Sequence, residues 1–583
     1  MTSTTSGTSA GATSGTAAAE TAGPHGATTA VDTSTTAGKL EDLRLRMEQT
    51  HTPVGADAVR DLHAAGRMTA RERILRLLDP GSFVEIDALA RHRCTRFGME
   101  DTRPLSDGVV TGYGTVEGRK VCVFSQDPTV FEGQLGEVYG DKVIKVLELA
   151  LRTGTPLVGI YDGTGPRIRE GVVTLAQYAR IYRLQSQMSG VVPQVAVVTG
   201  TVRNGHVHGP ALSDLVIMVD GQAELSLSDP EFTRSVIGEV TTGAEIGGPE
   251  LHATTTGLAH AVVGAEDEAL DLVADLLSRL PSNNRAFAPA EALGPGEGVR
   301  VPAAARPTTT DATADARLGT DAADLPPEDR ALDGLIPDSP AAPYDVRDLL
   351  SAVLDDGSFL ELQPRFAPNV ITGFGHVDGR SVGVVANQPT ELAGCLDTRA
   401  SDKAARFVRL CDAFSVPVLF VVDTPGFLPG RAEESAGTVL SSSKLIHAVA
   451  ETTVGTVTLV TRKAFGSAYV AMGAKDLGVD MVFAWPTAQI SVADAEDTTT
   501  AVYAQRIAEV REAEGVDAAE DLAAELEREI ATTVVTPYLA AERGYVDAVI
   551  APHATRGRLR DAFGLLERKL TENPARKHGN IPL

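Results

Sequence analysis

The chain lacks most of the motifs by which an enzyme's chemistry is usually read. It has no GxSxG elbow, no HExxH, no P-loop and no CxxC pair. The common marks of an activated serine, a zinc centre and a nucleotide-hydrolysing site are therefore missing. Its four cysteines, Cys94, Cys122, Cys395 and Cys411, stand apart from one another, with no histidine at metal-ligand spacing. That argues against a bound metal and a disulfide framework, and favours a reducing, cytoplasmic setting. No apolar run approaches the ~18 to 20 residues a membrane helix needs, so no membrane span is expected. Positive charge is also in short supply. A net charge of -26 disfavours nucleic acid or an anionic membrane as partner, and an anionic substrate would have to be met by locally placed cations. Residues 1–38 contain no lysine or arginine and lack the basic start and apolar stretch of a signal peptide. Being rich in Ser, Thr, Ala and Gly, they are read as a disordered tail.

What is present is a repeat. Leu78-Asp79-Pro80-Gly81-Ser82-Phe83-Val84-Glu85 recurs as Leu354-Asp355-Asp356-Gly357-Ser358-Phe359-Leu360-Glu361, and Thr111-Gly112-Tyr113-Gly114 recurs as Thr372-Gly373-Phe374-Gly375. Further on, Pro156 to Asp162 matches Pro417 to Asp423, and Val195 to Gly205 matches Val457 to Ser467. Four matches in the same order imply two homologous domains, which a chain of 583 residues with 43% apolar content can fill. The expected layout is a tail over 1–38, one domain over 39–288, an Ala/Pro/Thr/Asp-rich linker over 289–328 and a second domain over 329–583.

Within each half, β-branched runs such as Val195-Ala196-Val197-Val198 and Val457-Thr458-Leu459-Val460 end in small or polar residues and lead into helix-compatible stretches. This is the pattern of an α/β fold with buried strands. Leu522, Leu526 and Ile530 recur at a spacing of four and predict a surface helix over 517–530. Two strand-to-helix turns, Asn204-Gly205 and Gly466-Ser467-Ala468, fall at equivalent places in the repeat. Such turns aim unpaired backbone N–H groups outward, with the helix dipole behind them, and suit an enolate or carboxylate oxygen. Small residues there would equally serve close helix–strand packing.

Several stretches closely resemble the β subunits of propionyl-CoA and acetyl-CoA carboxylases. They include Gly66-Arg67-Met68-Thr69-Ala70-Arg71-Glu72-Arg73-Ile74, Phe124-Ser125-Gln126-Asp127, Ala386-Asn387-Gln388-Pro389, Pro425-Gly426-Phe427-Leu428-Pro429-Gly430, Ala484-Trp485-Pro486-Thr487-Ala488-Gln489-Ile490 and Lys577-His578-Gly579-Asn580-Ile581-Pro582-Leu583. The resemblance implies two tandem crotonase-like domains of the ClpP/crotonase superfamily. It implies a carboxyltransferase that moves a carboxyl group from carboxybiotin to the α-carbon of a short acyl-CoA through an enolate. Biotin would be borne by a separate biotin carboxylase/biotin carrier subunit, because this chain has no Ala-Met-Lys-Met-like biotinylation motif and no ATP-binding signature. Family analogy also implies a homo-oligomer, a hexamer. Carried over by position, the oxyanion holes fall at Asn204 and Gly205 and at Ser467 and Ala468. Arg167 and Lys463 become candidates for acyl-CoA binding, with structural ion pairs as the alternative, and Val470 for shaping the acyl pocket, with plain core packing as its alternative.

The sequence departs from the family at these same places. Arg203-Asn204-Gly205 stands for the usual Ala-Gly-Gly, so that Arg203 is expected to obstruct biotin or to hold a carboxylate. Asp162-Gly163-Thr164-Gly165-Pro166 replaces Asp-Ser-Gly-Gly-Ala, and Pro166 restricts Gly165. Leu440-Ser441-Ser442-Ser443 removes two arginines. Ala493-Asp494-Ala495-Glu496-Asp497-Thr498 brings three acids where close-packing residues are usual. Besides carboxylation, two readings stay open: a biotin-independent decarboxylase or tailoring enzyme acting on a β-keto or aryl carboxylate in polyketide-type metabolism, and a non-catalytic scaffold subunit. His206 and His208 flank the first hole as possible acid/base groups or as hydrogen-bonded structural residues.

Overall fold

The computed structural model describes residues 31–290 and 327–582. Most of the expected tail and linker lie outside them. The helix Thr36–Gln49 starts inside the range read as tail, and is a unit of its own. Its polarity is offset by pairs one turn apart, Arg44 with Glu41 and Arg46 with Asp42.

From Thr50 onward the repeat read in the sequence is a repeat in space. The first sheet takes its strands in chain order: Val84–Ile86, Val109–Val116, Arg119–Gln126, Leu157–Tyr161, Gln194–Val198, Leu215–Val219 and Ala261–Val263. Its first two pairings are antiparallel and the remaining four parallel. The second sheet repeats that plan with Leu360–Leu362, Val370–Val377, Arg380–Asn387, Val418–Thr424, Thr456–Phe465, Met481–Ala484 and Ala548–Val549. The central parallel strands are buried along their whole length. This is why they read as unbroken apolar runs rather than as alternating ones.

The matched motifs carry identical jobs. A Cβ on Gly112 would lie 2.3 Å from the Val84 carbonyl oxygen, and one on Gly373 2.3 Å from that of Leu360, so both edge pairings require glycine. Asp79 accepts the Glu117 and Gly118 amides of one hairpin turn, and Asp355 those of Asp378 and Gly379 in the other. The turn residues themselves sit at positive φ in both halves.

A further pair was not anticipated. Lys142, on the helix Glu137–Thr153, and Lys403, on Thr398–Ala413, are buried. Lys142 Nζ donates to the Ser106 carbonyl at 2.8 Å, and to that of Val109 at 2.5 Å. Lys403 Nζ donates to those of Gln363, Phe366 and Val370 at 2.9, 2.8 and 2.7 Å. Each ammonium gathers carbonyls from an irregular loop and from the first residue of the strand that follows it. The halves also share one apolar core, which runs from Ile74 and Val197 to Phe374 and Val482. Arg279 ties them further through the Ser358 carbonyl at 2.5 Å.

Candidate active site

In the first half the chain leaves Gln194–Val198, pairs briefly as Thr201–Arg203 with Glu224–Ser226, and turns into the helical stretch beginning at Asn204. Asn204 has φ 53 and its counterpart Gly466 has φ 58. Both halves therefore enter the turn through one left-handed residue, and asparagine tolerates that region better than most side chains do. The alignment pairs Gly205 with Ser467 and His206 with Ala468, so the sequence-based assignment begins one residue earlier in the first half than in the second. In the second half Thr456–Phe465 runs straight into the helix Gly466–Ala471, whose first-turn amides have no carbonyl one turn upstream within it. Ser467 is exposed at that end and Ala468 buried beneath it.

The aspartates before the turns, Asp162 and Asp423, are buried and matched in the repeat, but their counter-charges come from different places. Asp423 takes Arg462 Nε at 2.9 Å, from the strand beside it. The residue at the position of Arg462 in the first half is Gly200, where a Cβ would lie 2.0 Å from Asp162 Oδ1. Arg67 and Arg73 fill that space, Arg73 Nη1 at 3.0 Å from Asp162 and its other nitrogens on Glu266.

Arg203 does not stand unpaired, waiting for a carboxylate. Its guanidinium is held by Glu224 at 2.6 Å and by Asp229. Asp229 also caps the helix Pro230–Ile237 by accepting the Glu231 amide at 2.9 Å. The expectation that this charge faces a ligand is corrected by the two acids that neutralise it. Asn204 Nδ2 lies 3.4 Å from the Thr164 carbonyl, within the loop that carries Pro166, so two of the sequence departures touch one another.

Arg167 is a second correction. It is buried, with Nη1 at 2.7 Å from both Asp107 and Glu170 and Nη2 on the Asp107 and Gln134 carbonyls, so it braces the interior and is not free to meet acyl-CoA. Lys463 behaves differently: its amide binds Asp423 at 3.1 Å, and among the described residues its ammonium makes no ion pair. Val470 is 40% exposed beside Ser467, which is not how a core residue sits.

His206 is buried between Gln126 Nε2, 3.3 Å from Nδ1, and the Gly133 carbonyl, 3.2 Å from Nε2. Because the Gln126 carbonyl oxygen already accepts the Asp162 amide at 2.7 Å, its NH2 must donate to Nδ1, which leaves the proton on Nε2. Burial holds the imidazole down at about 4, so it is neutral at physiological pH and structural. His208 is exposed and meets the Tyr182 ring edge-on at 5.4 Å.

The remaining departures have local explanations. Asp494 caps the helix Ala495–Glu514 by accepting the Asp497 amide at 2.8 Å, and Glu496 and Asp497 sit in its first turn, where the helix dipole favours acids. Ser442 and Ser443 turn back onto the Val439 carbonyl within Thr438–Ala450, and Lys444 pairs with Asp402 at 2.9 Å. Sequence reasoning missed Tyr182, whose hydroxyl donates to the Gly205 carbonyl; an aromatic within a helix carries no signal for that role.

Among the described residues no helix is long and apolar enough to cross a membrane. Comparison with known proteins finds the family described as carboxyl transferase domain over residues 61–581. The chain is 51% identical over 553 residues to the biotin-dependent acetyl-/propionyl-coenzyme A carboxylase beta5 subunit of Mycobacterium tuberculosis, covering 95% of this chain and 96% of that one. It is 40% identical over 550 residues to the methylmalonyl-CoA decarboxylase subunit alpha of Propionigenium modestum, covering 94% and 100%. Among solved structures, the transcarboxylase 12S hexamer with methylmalonyl-coenzyme A and methylmalonic acid bound matches at a TM-score of 0.86 and 39% identity, over 94% of this chain and 99% of that one.

Proposed function

The chain belongs to the carboxyl transferase family, and from that membership we propose that it is the carboxyltransferase subunit of a biotin-dependent acyl-CoA carboxylase. It places a carboxyl group on the α-carbon of a short acyl-CoA through an enolate. The observation that carries this reading is the persistence of both strand-to-helix turns, one per half, in a chain aligned to a biotin-dependent carboxylase β subunit over 95% of its length.

The roles follow from what each turn offers. An enolate oxygen needs N–H donors in a partly dry place, and the amides at Gly205 and His206 supply them without any titrating group, since the His206 ring is neutral. A ureido carbonyl is uncharged and needs donors rather than a cation, which fits the Ser467 and Ala468 amides beside the exposed aliphatic Val470. Biotin, carried on a partner subunit, supplies the carboxyl group when bound there. Lys463, whose ammonium makes no ion pair among the described residues, serves the anionic part of a substrate. The protein works as a homo-oligomer, as the hexameric transcarboxylase core does.

The relation to a decarboxylase subunit keeps the reverse direction in view, because one hole stabilises one enolate approached from either side. The test is to incubate the full-length chain and a biotinylated carboxylase subunit with labelled bicarbonate, ATP and acetyl- or propionyl-CoA. Label fixed only when the biotinylated subunit is present supports the carboxylase. Release of CO2 from a carboxylated substrate without biotin, and no fixation, refutes it in favour of the decarboxylase. Neither activity, with stable co-assembly, leaves a scaffold.

A further inference from the structure

We propose that Tyr182 is a positioning residue for the first-half hole: by fixing the Gly205 carbonyl it aims the His206 amide at the substrate oxygen. The inference rests on the reading that this turn holds the enolate. A trans peptide points its C=O and its N–H in opposite directions. Whatever holds the Gly205 carbonyl therefore decides where the next amide points. The Tyr182 hydroxyl holds it from the helix Val172–Met188.

Two further observations make that contact an orienting one. Gly205 lies directly on the Tyr178 ring, where a Cβ would be 2.7 Å from ring carbons, and the Tyr178 and Tyr182 rings stack at 5.7 Å and 22°. The turn thus rests on a flat aromatic floor and has little freedom to rotate. On its other side the His206 ring is pinned to Gln126 and Gly133. The peptide is then restrained at its carbonyl end by Tyr182 and beyond its amide by the imidazole. In the second half, among the described residues, no side-chain hydroxyl donates to the Ser467 carbonyl, so the device belongs to the first half alone. Burial also lifts the Tyr182 phenol to about 12, which keeps it a donor throughout the range in which such an enzyme is assayed.

The test is steady-state kinetics of the full-length chain with a biotinylated carboxylase subunit, comparing wild type with Tyr182→Phe, which keeps the ring and its stacking. The expected result is a fall in kcat of about 10- to 100-fold, somewhat less than removal of a whole oxyanion donor. KM for acyl-CoA should stay within about twofold, and Tm should fall by no more than about 2 to 4 °C, the effect of one lost hydrogen bond. A second variant guards against misfolding: 3,5-difluorotyrosine at position 182, whose phenol is more acidic than tyrosine's though raised by the same burial, should lose kcat at a distinctly lower pH than the natural enzyme in a profile carried into the alkaline range. An active wild type with unchanged kcat in Tyr182→Phe, a loss confined to KM, or a pH profile for the fluorinated protein that coincides with the natural one overturns the inference alone. A wild type that fixes no label overturns the reading of the reaction and this inference with it.

Discussion

Removing the Arg203 guanidinium tests how the first turn is held at its edge, where Glu224 and Asp229 both pair with it. If the side chain stood in the path of biotin, Arg203→Ala combined with Asn204→Gly would raise turnover. The structure gives the opposite sign. Arg203 joins the edge of the turn to Glu224 and to Asp229, the residue that starts the helix Pro230–Ile237, a helix with no buried residue of its own. Removing the guanidinium leaves two acids facing each other and frees that helix. The Arg203 and Asp229 side chains are 20% and 37% exposed, so solvent screens the pair. A coupling of about 1 kcal/mol is expected, at the top of the range for surface pairs and well below the ~3 to 5 kcal/mol of breaking a buried one. Asn204→Gly works the other way, relieving a left-handed residue by a few tenths of a kcal/mol up to about 1 kcal/mol. The assay is a double-mutant cycle of Arg203→Ala and Asp229→Asn, read by urea unfolding and by biotin-dependent label fixation. Turnover should drop in each single variant, and the two drops should not add. A rise in turnover in Arg203→Ala/Asn204→Gly, or strictly additive effects in the cycle, would refute the reasoning.

Other consequences are as direct. His206 titrates near 4 in the folded chain against 6.5 unfolded, so between those values the unfolded state binds more protons and stability rises with pH. The group contributes about 3 kcal/mol above pH 6.5 that is lost as pH falls toward 4, and His206→Ala should flatten the unfolding free energy over that window. Lys403→Met should cost about 3 kcal/mol or more in a urea titration, because the carbonyls of Gln363, Phe366 and Val370 lose their donor without regaining water. Gly200→Ala should yield little soluble protein, since its Cβ would sit on the carboxylate of Asp162; normal expression and an unchanged Tm would contradict that.

Much of the fold was legible because the repeat is written twice. The motifs around Gly112 and Gly373 recur for a steric reason, a strand carbonyl pressed against the Cα, and such constraints survive divergence. The surface helix expected over 517–530 is present as Val516–Thr533 with Leu526 and Ile530 buried. The charged residues were harder to place. Arg167 reads as a ligand-binding arginine, but its partners Asp107 and Glu170 are unremarkable in sequence and meet it only in the folded chain. Lys142 and Lys403 look like surface lysines on amphipathic helices, because a buried ammonium satisfied by loop carbonyls has no sequence pattern. The acids after Ser491 read as replacements for close-packing residues until the helix they cap is visible. The two turns were found because small residues after a buried strand have a recognisable cause; the tyrosine beneath one of them has none.

The two ways of neutralising the matched aspartates bear on how the halves have come to depend on the rest of the chain. In the second half the counter-charge lies one strand away, so that copy is electrostatically self-contained. In the first half the strand position is vacated as Gly200, and the task passes to arginines some 90 residues earlier, Arg73 being 89 positions from Asp162. The first copy thereby draws its counter-charge from the segment ahead of its sheet, and the second from within its sheet. A circular permutation or truncation that separates Arg67 and Arg73 from the first sheet would strand a buried carboxylate, whereas an equivalent cut ahead of the second sheet would leave its aspartate fully paired.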